Sequence, residues 1–262
     1  MSFIPGITEP TTKNPKSLVI ASAPKAGKST VAADFTVNFA PGESTICCLD
    51  EQDPYSQLKA SFVQHEKLSE AEEWLDKIIE SKQKIKYLFV DHLTKIDELS
   101  ELMGTVEYMQ TPQGKSFNRD RKGNIVSPNS KDWRSVHELA NGAGYRFSRA
   151  VMMRFKAKCH QAAEHVIFFV HLKDKDIVNA EGQTLRIEKK ISLTGKLSTI
   201  IPAYVNGVCY MYADGNKRYL DFQASEKSAL GATLPHLNGQ ILLSERLEDG
   251  TIKTYWENIF ID

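Results

Sequence analysis

Short apolar runs alternate with amphipathic segments along the first two thirds of the chain. Four runs are apolar almost without interruption, at residues 18–21, 45–49, 85–90 and 165–170. Such runs are typical of strands that are buried on both faces, as in a parallel sheet. Helical spacing of apolar residues predicts helices at residues 29–39, along a stripe from Leu68 to Ile79, and from Trp133 to about Ala163. Strands alternating with helices predict a doubly wound α/β fold.

The pattern changes after residue 170, where polar and apolar residues alternate. A charged hairpin is predicted over residues 173–192, with its turn at residues 179–182. Two further strand pairs are predicted, the first at residues 207–212 and 218–222 with a turn at 214–216, the second at 241–243 and 251–255. These segments predict a sheet that ends in C-terminal β-hairpins.

Two segments have no periodicity. Residues 1–16 contain three prolines and are predicted to be a mobile N-terminal arm, which leaves residues 17–262 as one domain. Residues 104–131 are polar and are predicted to be an insertion loop, of a length that is more often functional or mobile than inert.

Charge and cysteine content narrow the setting of this domain. Lysine plus arginine equals aspartate plus glutamate, so any nucleic-acid-binding surface must be a local patch. The four cysteines lack metal-binding spacing and indicate buried thiols in a reducing compartment. With no apolar run of membrane-spanning length, a cytoplasmic protein without a membrane partner is expected.

The stretch ASAPKAGKST at residues 21–30 follows the first predicted strand and opens the first predicted helix. It resembles the phosphate-binding loop (P-loop) G-x-x-x-x-G-K-S/T, with Ser22 at the first glycine position. In such a loop, Lys28 reaches the β- and γ-phosphates of ATP and the Ser29 hydroxyl ligates Mg²⁺. The simpler alternative is a helix N-terminus with a surface lysine. The backbone groups that would wrap the phosphates belong to Ala23, Pro24, Lys25, Ala26, Gly27, Lys28, Ser29 and Thr30.

Two more polar residues stand directly after predicted buried strands. Asp91 follows the run at 85–90, where a Walker B carboxylate would serve Mg²⁺. His171 follows the run at 165–170, where a polar side chain can sense the γ-phosphate, although a lone histidine there is often an ordinary residue. We therefore predict that Lys28, Ser29, Asp91 and His171 meet at one edge of the sheet.

The order of these motifs, together with the later segment LTGKLSTIIPAYVNGVCYM, resembles phage-type P-loop ATP-binding proteins of the RecA-like class. That class includes single-strand-annealing recombinases and helicase-like ATPases. The resemblance covers about residues 17–235 and implies a mostly parallel central sheet of order 5-1-4-3-2. It also implies a catalytic carboxylate after the second strand, for which Glu51 is the first candidate and Asp50 the second.

The same resemblance implies assembly into rings or filaments with ATP between subunits. A neighbouring subunit then supplies a positive charge to the γ-phosphate. Arg218, or its neighbour Lys217, is expected to have this role. Single-strand-binding or replication proteins are possible partners of such an assembly.

DNA contact in this class is expected from loops, and two basic stretches qualify. Basic groups pair with phosphates, and the aromatic residues Phe117 and Trp133 could stack on bases. Solvated hairpins are an equally good interpretation of both stretches. The candidate DNA-binding residues are Lys115, Arg119, Arg121 and Lys122 in the first, and Lys189 and Lys190 in the second.

The sequence therefore predicts a Mg²⁺-dependent ATPase that acts on single-stranded DNA in recombination or replication. A protein that binds ATP for assembly or regulation, without DNA, is the main alternative. A P-loop kinase for a small molecule fits less well, because no compact arginine-rich lid is found in the sequence.

Overall fold

The computed structural model describes residues 13–49, 55–178, 184–223 and 230–261. In this part of the chain the strands are β1 (Ser17–Ser22), β2 (Ser44–Cys48), β3 (Phe62–Gln64), β4 (Ile85–Asp91), β5 (Ala163–Val178), β6 (Thr184–Ile191), β7 (Gly207–Asp214), β8 (Lys217–Asp221), β9 (Gly231–Ala232), β10 (Gln240–Arg246) and β11 (Ile252–Thr254). The α-helices are α1 (Lys28–Asp34), α2 (Leu68–Ser81), α3 (Leu93–Met109), α4 (Tyr145–Ala162) and α5 (Leu197–Ala203). A π-helical turn at Phe35–Phe39 continues α1.

One sheet forms the centre of the molecule, with its strands in the order β11-β10-β8-β7-β1-β5-β4-β2-β3. Its parallel part is β7-β1-β5-β4-β2, extended by the short β3. Counted without β3, this is the predicted order 5-1-4-3-2, so the predicted α/β fold with a RecA-like P-loop core is confirmed. All four predicted buried strands are present.

The two faces of the sheet carry separate hydrophobic clusters, and β1 contributes to both. Val19 and Ala21 point to the face that α2, α3 and α4 cover. Leu18 and Ile20 point to the other face, with α1 and the C-terminal Trp256. Because side chains alternate along a strand, burial on both faces requires the uninterrupted apolar run seen in the sequence.

The C-terminal hairpins extend the same sheet. β7 and β8 are antiparallel, β8 pairs with β10, and β10 pairs with β11. The polar hairpin is present as β5 and β6, which pair from Leu172–Ile191 outward. Its predicted turn at residues 179–182 lies outside the described residues.

The insertion loop is shorter than predicted, because α3 runs through Gly104 to Met109. Gly104 packs against α4 so closely that a Cβ there would lie 2.7 Å from the Ser148 backbone nitrogen. Gly104 therefore lets α3 and α4 pack closely together, and the loop begins at residue 110. The predicted third helix is also shorter, since residues 133–144 form short 3-10 turns before α4.

Part of the predicted N-terminal arm is anchored. The Asn14 side chain donates a hydrogen bond to the Ile261 carbonyl and accepts one from the Ile261 backbone N–H. Residues 1–12 lie outside the described part of the chain. None of the helices in the described ranges combines the length and the apolar character that a membrane crossing requires.

Candidate nucleotide site

The loop between β1 and α1 has the backbone geometry of a phosphate cradle. Gly27 adopts φ 99° and Lys25 φ 62°, both in the left-handed region, and α1 starts at Lys28. The N–H groups of the first turn of a helix have no intrahelical partners and favour an anion. Ala23, Pro24 and Lys25 are exposed, while Ala26, Gly27, Ser29 and Thr30 are half-buried. The loop thus presents its backbone to solvent at the carboxyl end of β1.

The ammonium of Lys28 is held inside this loop. Only 6% of the residue is exposed. Its Nζ donates to Ser22 Oγ at 3.0 Å and to the Ala23 carbonyl at 3.3 Å, and lies 3.4 Å from Nδ1 of His171. An ammonium has three hydrogens and only donates, so His171 accepts through Nδ1. The serine that replaces the first loop glycine therefore orients the lysine through its hydroxyl.

Burial and charge act in opposite directions on Lys28. Burial lowers the pKa of the ammonium below its usual value, and the negative charge of Asp91 partly restores it. An anion placed in the loop would act in the same direction as Asp91, because it stabilises the charged lysine. The site is therefore electrostatically suited to a phosphate chain.

Asp91 ends β4 and faces the loop. The Ser29 hydroxyl donates to Asp91 Oδ2 at 3.3 Å, and the Tyr55 hydroxyl also donates to this oxygen. Mg²⁺ in phosphate sites is typically held by one or two protein oxygens together with phosphates and waters. Ser29 and Asp91 provide such a pair of oxygens, so the residues present fit Mg²⁺ bound together with a nucleotide.

Tyr55 is a site residue that the sequence did not reveal. It is fully buried, and its pKa is raised by burial first and by the nearby Asp91 carboxylate next. The phenol therefore stays protonated and remains a donor to Asp91. A tyrosine after a strand-to-helix turn has no distinguishing sequence signal, and only the fold brings it to Asp91.

His171 joins the site from within β5, which continues to Val178 instead of ending before this residue as predicted. Its backbone N–H donates to Thr94 Oγ1 at 3.1 Å, and its ring lies edge-on to His92 with centroids 4.2 Å apart. Thr94 and His92 follow Asp91 at the start of α3. One short segment therefore carries Asp91, which would hold Mg²⁺, and also contacts His171. Neither Thr94 nor His92 carries a sequence signal that marks it as part of a nucleotide site.

Arg218 differs from its expected position. Its Nε donates to the Ala26 carbonyl of the same chain at 2.9 Å, and a Cβ on Gly27 would lie 2.5 Å from this nitrogen. The cause is the sheet order, because β8 pairs with β7, which lies beside β1 and its loop. Arg218 thus packs on the phosphate loop of its own chain, whereas its expected role toward a neighbouring subunit concerns an assembly and stays a prediction. Lys217 is half-buried at the start of β8.

The predicted catalytic carboxylates cannot be placed. Glu51 and Asp50, together with Asp53, lie outside the described residues. They connect β2 with Tyr55.

The candidate DNA-binding residues lie in two separate places. Lys115, Arg119, Arg121 and Lys122 are exposed on the insertion loop, where Arg119 donates to the Lys115 and Gly123 carbonyls. Phe117 is buried beneath Arg134 and is unavailable for base stacking, which corrects that expectation. Lys189 is exposed and Lys190 half-buried on β6.

Comparison with known families agrees with this site. Residues 14–230 match the AAA_24 family, described as AAA domain, and the chain belongs to this family. It is a P-loop ATPase domain of the RecA/AAA-like kind. No curated protein matches the chain.

Two solved structures resemble the chain in part. One is a prototypical ATPase from the type III secretion system of pathogenic bacteria, with TM-score 0.40 and 12% identity over 76% of this chain. This chain spans 52% of that protein, about half its length. The other is the RadB recombinase, with TM-score 0.42 and 9% identity over 92% of both chains.

The first prediction concerns Lys28. Lys28→Met keeps the buried aliphatic stem but removes the ammonium, so nucleotide binding should be lost while the fold is retained. The matched control is Lys25→Asn, which removes a loop charge but keeps a residue that tolerates the left-handed conformation. Titration with a fluorescent ATP analogue measures both. Normal binding by Lys28→Met would contradict the phosphate-cradle assignment.

The second prediction concerns Tyr55. Tyr55→Phe removes the donor that orients Asp91, so half-maximal turnover should require about tenfold more Mg²⁺, with little change at saturation. Asp91→Asn should show a larger effect in the same direction, and Tyr212→Phe, on β7, should show none. A Mg²⁺ requirement equal to that of the parent would mean that Tyr55 has only a packing role.

Proposed function

We propose that this AAA_24-family domain hydrolyses ATP with Mg²⁺ and couples hydrolysis to the binding of single-stranded DNA, in recombination or replication. The observation that carries the ATPase part is the convergence of Lys28, Ser29, Asp91 and His171 at the carboxyl ends of β1 and β4, beside the point where β5 stops pairing with β1. Ligands of open α/β sheets bind at this edge. Because the chain belongs to an ATPase family, we take ATP as the nucleotide and place its phosphates on the loop at residues 23–30.

Each residue has a specific task in this proposal. Lys28 and the loop N–H groups neutralise the β- and γ-phosphates, and Ser29 and Asp91 hold Mg²⁺. Bound Mg²⁺ supplies charge neutralisation at the β- and γ-phosphates. His171 lies beside the Lys28 ammonium, where it senses whether a γ-phosphate has taken over the lysine's hydrogen bonds. Glu51, with Asp50 as the second candidate, activates the attacking water.

The DNA part of the proposal is supported by the course of β5. The strand passes His171 and continues without a break into the hairpin with β6, and the Ser192 N–H donates to the His171 carbonyl at 2.8 Å. Lys189 and Lys190 therefore lie on an element that starts in the nucleotide site. The insertion loop is separated from the site by the whole of α3, whereas the hairpin begins at His171, so we favour the hairpin as the DNA-binding element.

Assembly completes the proposal. We propose a homo-oligomer, ring or filament, with ATP at the subunit interfaces and with single-strand-binding or replication proteins as partners. We assign Arg218 to the nucleotide of its own chain, because it contacts Ala26 there. The buried, free cysteines suit a reducing cytoplasm, which is the host cytoplasm if the protein is encoded by a phage.

The third prediction tests the coupling to DNA. ATP turnover of the parent should rise when single-stranded DNA is added, and Lys189→Ala/Lys190→Ala should lose this increase but keep basal turnover. Its DNA affinity should depend less on salt, with the slope of log K against log salt smaller by about 1.4, because two phosphate contacts are lost. Glu51→Gln serves as the reference without hydrolysis.

Two comparisons make this test specific. A variant neutralised at Lys115, Arg119, Arg121 and Lys122 should lose less of the increase than the hairpin variant. Lys77→Ala, on the exposed face of α2, should behave as the parent. No DNA binding by the parent with ATP present would favour the alternative, an ATP-dependent assembly or regulatory protein.

The fourth prediction tests the position of Arg218. Arg218→Ala should hydrolyse ATP poorly, and mixing it with Lys28→Met subunits should not restore turnover, because both side chains serve the same nucleotide. Activity is measured across a range of mixing ratios. Recovery at intermediate ratios would show that Arg218 acts on the nucleotide of a neighbouring subunit.

A further inference from the structure

A second polar cavity opens at the amino-terminal edge of the sheet, opposite the P-loop. Its volume is about 600 Å³, and it lies where β1 and β5 begin, next to the last turn of α4. The cavity is of the size that takes a small ligand. Its lining is cationic, with Lys16, Lys84 and Lys156 together with His160 and His165.

Lys156 is the central residue of this lining. It is 8% exposed, and its Nζ donates to the Tyr204 carbonyl at 3.1 Å and to Nε2 of His160 at 3.0 Å. An ammonium has three hydrogens, so one donor is left for a ligand. In the described ranges, no carboxylate forms an ion pair with any of the three lysines. Glu164 is the one acid that lines the cavity.

The two histidines are held in defined states. His160 accepts from Lys156, and burial, together with the lysine's charge, lowers its pKa to about 4. His165 Nδ1 is 2.8 Å from the Pro15 carbonyl, so this nitrogen carries the proton and donates. Both histidines line the cavity. Tyr204 stands at the rim and is 65% exposed.

We propose that this cavity binds a phosphate group, with Lys156 as its buried anchor and Lys16 and Lys84 as its outer contacts. Buried lysines without an acidic partner are costly, and an anion removes that cost. Lysine is an established point-charge contact for phosphate. The phosphate belongs either to a small ligand or to a nucleic-acid backbone, and both offer the same anionic oxygens.

The cavity is separate from the nucleotide site. β1 runs from Ser17, in the cavity lining, to Ser22, in the P-loop, a distance of about 17 Å. The proposal therefore does not depend on ATP hydrolysis or on DNA coupling.

The test uses NMR of the histidine ring C–H signals, because histidines report on both sites. The chain has seven, and His160→Gln and His165→Gln assign the cavity signals, while His171 reports on the P-loop. Inorganic phosphate is titrated into the full chain at constant ionic strength set with NaCl. The His160 and His165 signals should shift and saturate. The apparent Kd should rise about tenfold or more in Lys156→Met and in Lys84→Ala. It should stay unchanged in Lys77→Ala, which removes a lysine that is exposed, as Lys84 is, but lies outside the cavity.

Lys84→Ala keeps the test decisive if Lys156→Met fails to fold, because Lys84 is exposed. A ten-nucleotide thymidine strand without terminal phosphates is the second probe. Shifts with both probes identify a nucleic-acid backbone as the source, and shifts with phosphate alone identify a small ligand. Shifts confined to His171, no shifts at all, or an equal loss in Lys77→Ala would overturn the proposal.

Discussion

The buried ammonium of Lys28 is the constraint on which the rest of the nucleotide site depends. A charge at this depth needs acceptors, and it finds them in Ser22, the Ala23 carbonyl and His171. These acceptors belong to β1, the loop and β5, so satisfying one side chain fixes three elements relative to one another. Asp91, itself fixed by Ser29 and Tyr55, adds a negative charge that partly offsets the lowering of the lysine's pKa by burial.

The sheet order provides this arrangement. β5 lies between β1 and β4, so His171 is adjacent to the carboxyl ends of β1 and β4, although the chain reaches these strands far apart in sequence. The antiparallel hairpin on the other side of β1 brings Arg218 over the same loop. Glycine suits position 27 for two reasons. Its φ is 99°, and a Cβ at this position would lie 2.5 Å from Nε of Arg218. The same two strands, β1 and β5, also line the cationic cavity with their first residues.

Much of this was predictable from sequence, for identifiable reasons. Strands buried on both faces produce uninterrupted apolar runs, so β1, β2, β4 and β5 and the polar residues after them were found. α3 was equally within reach of the sequence, since Leu93, Ile96, Leu99 and Met103 recur at helical spacing. Its continuation past Gly104 was not, because that residue packs directly on the α4 backbone. Two contacts depend on segments that are distant in sequence, so no local pattern encodes them. They are the contact of Tyr55 with Asp91 and that of Arg218 with the phosphate loop of its own chain. The cationic cavity was equally hidden, since its lysines and histidines come from four separate segments.

The length of β5 has a mechanical consequence. Its first half is paired with β1 and β4, while beyond His171 the strand pairing seen in the described residues is with β6. About seven residues of continuous strand follow His171, which is a rigid arm of about 23 Å. A tilt of about 5° at the histidine would displace the far end by about 2 Å, with no loop in between to absorb it. A small rotation at His171, which contacts the P-loop lysine, is thus converted into a larger displacement at the tip of the hairpin.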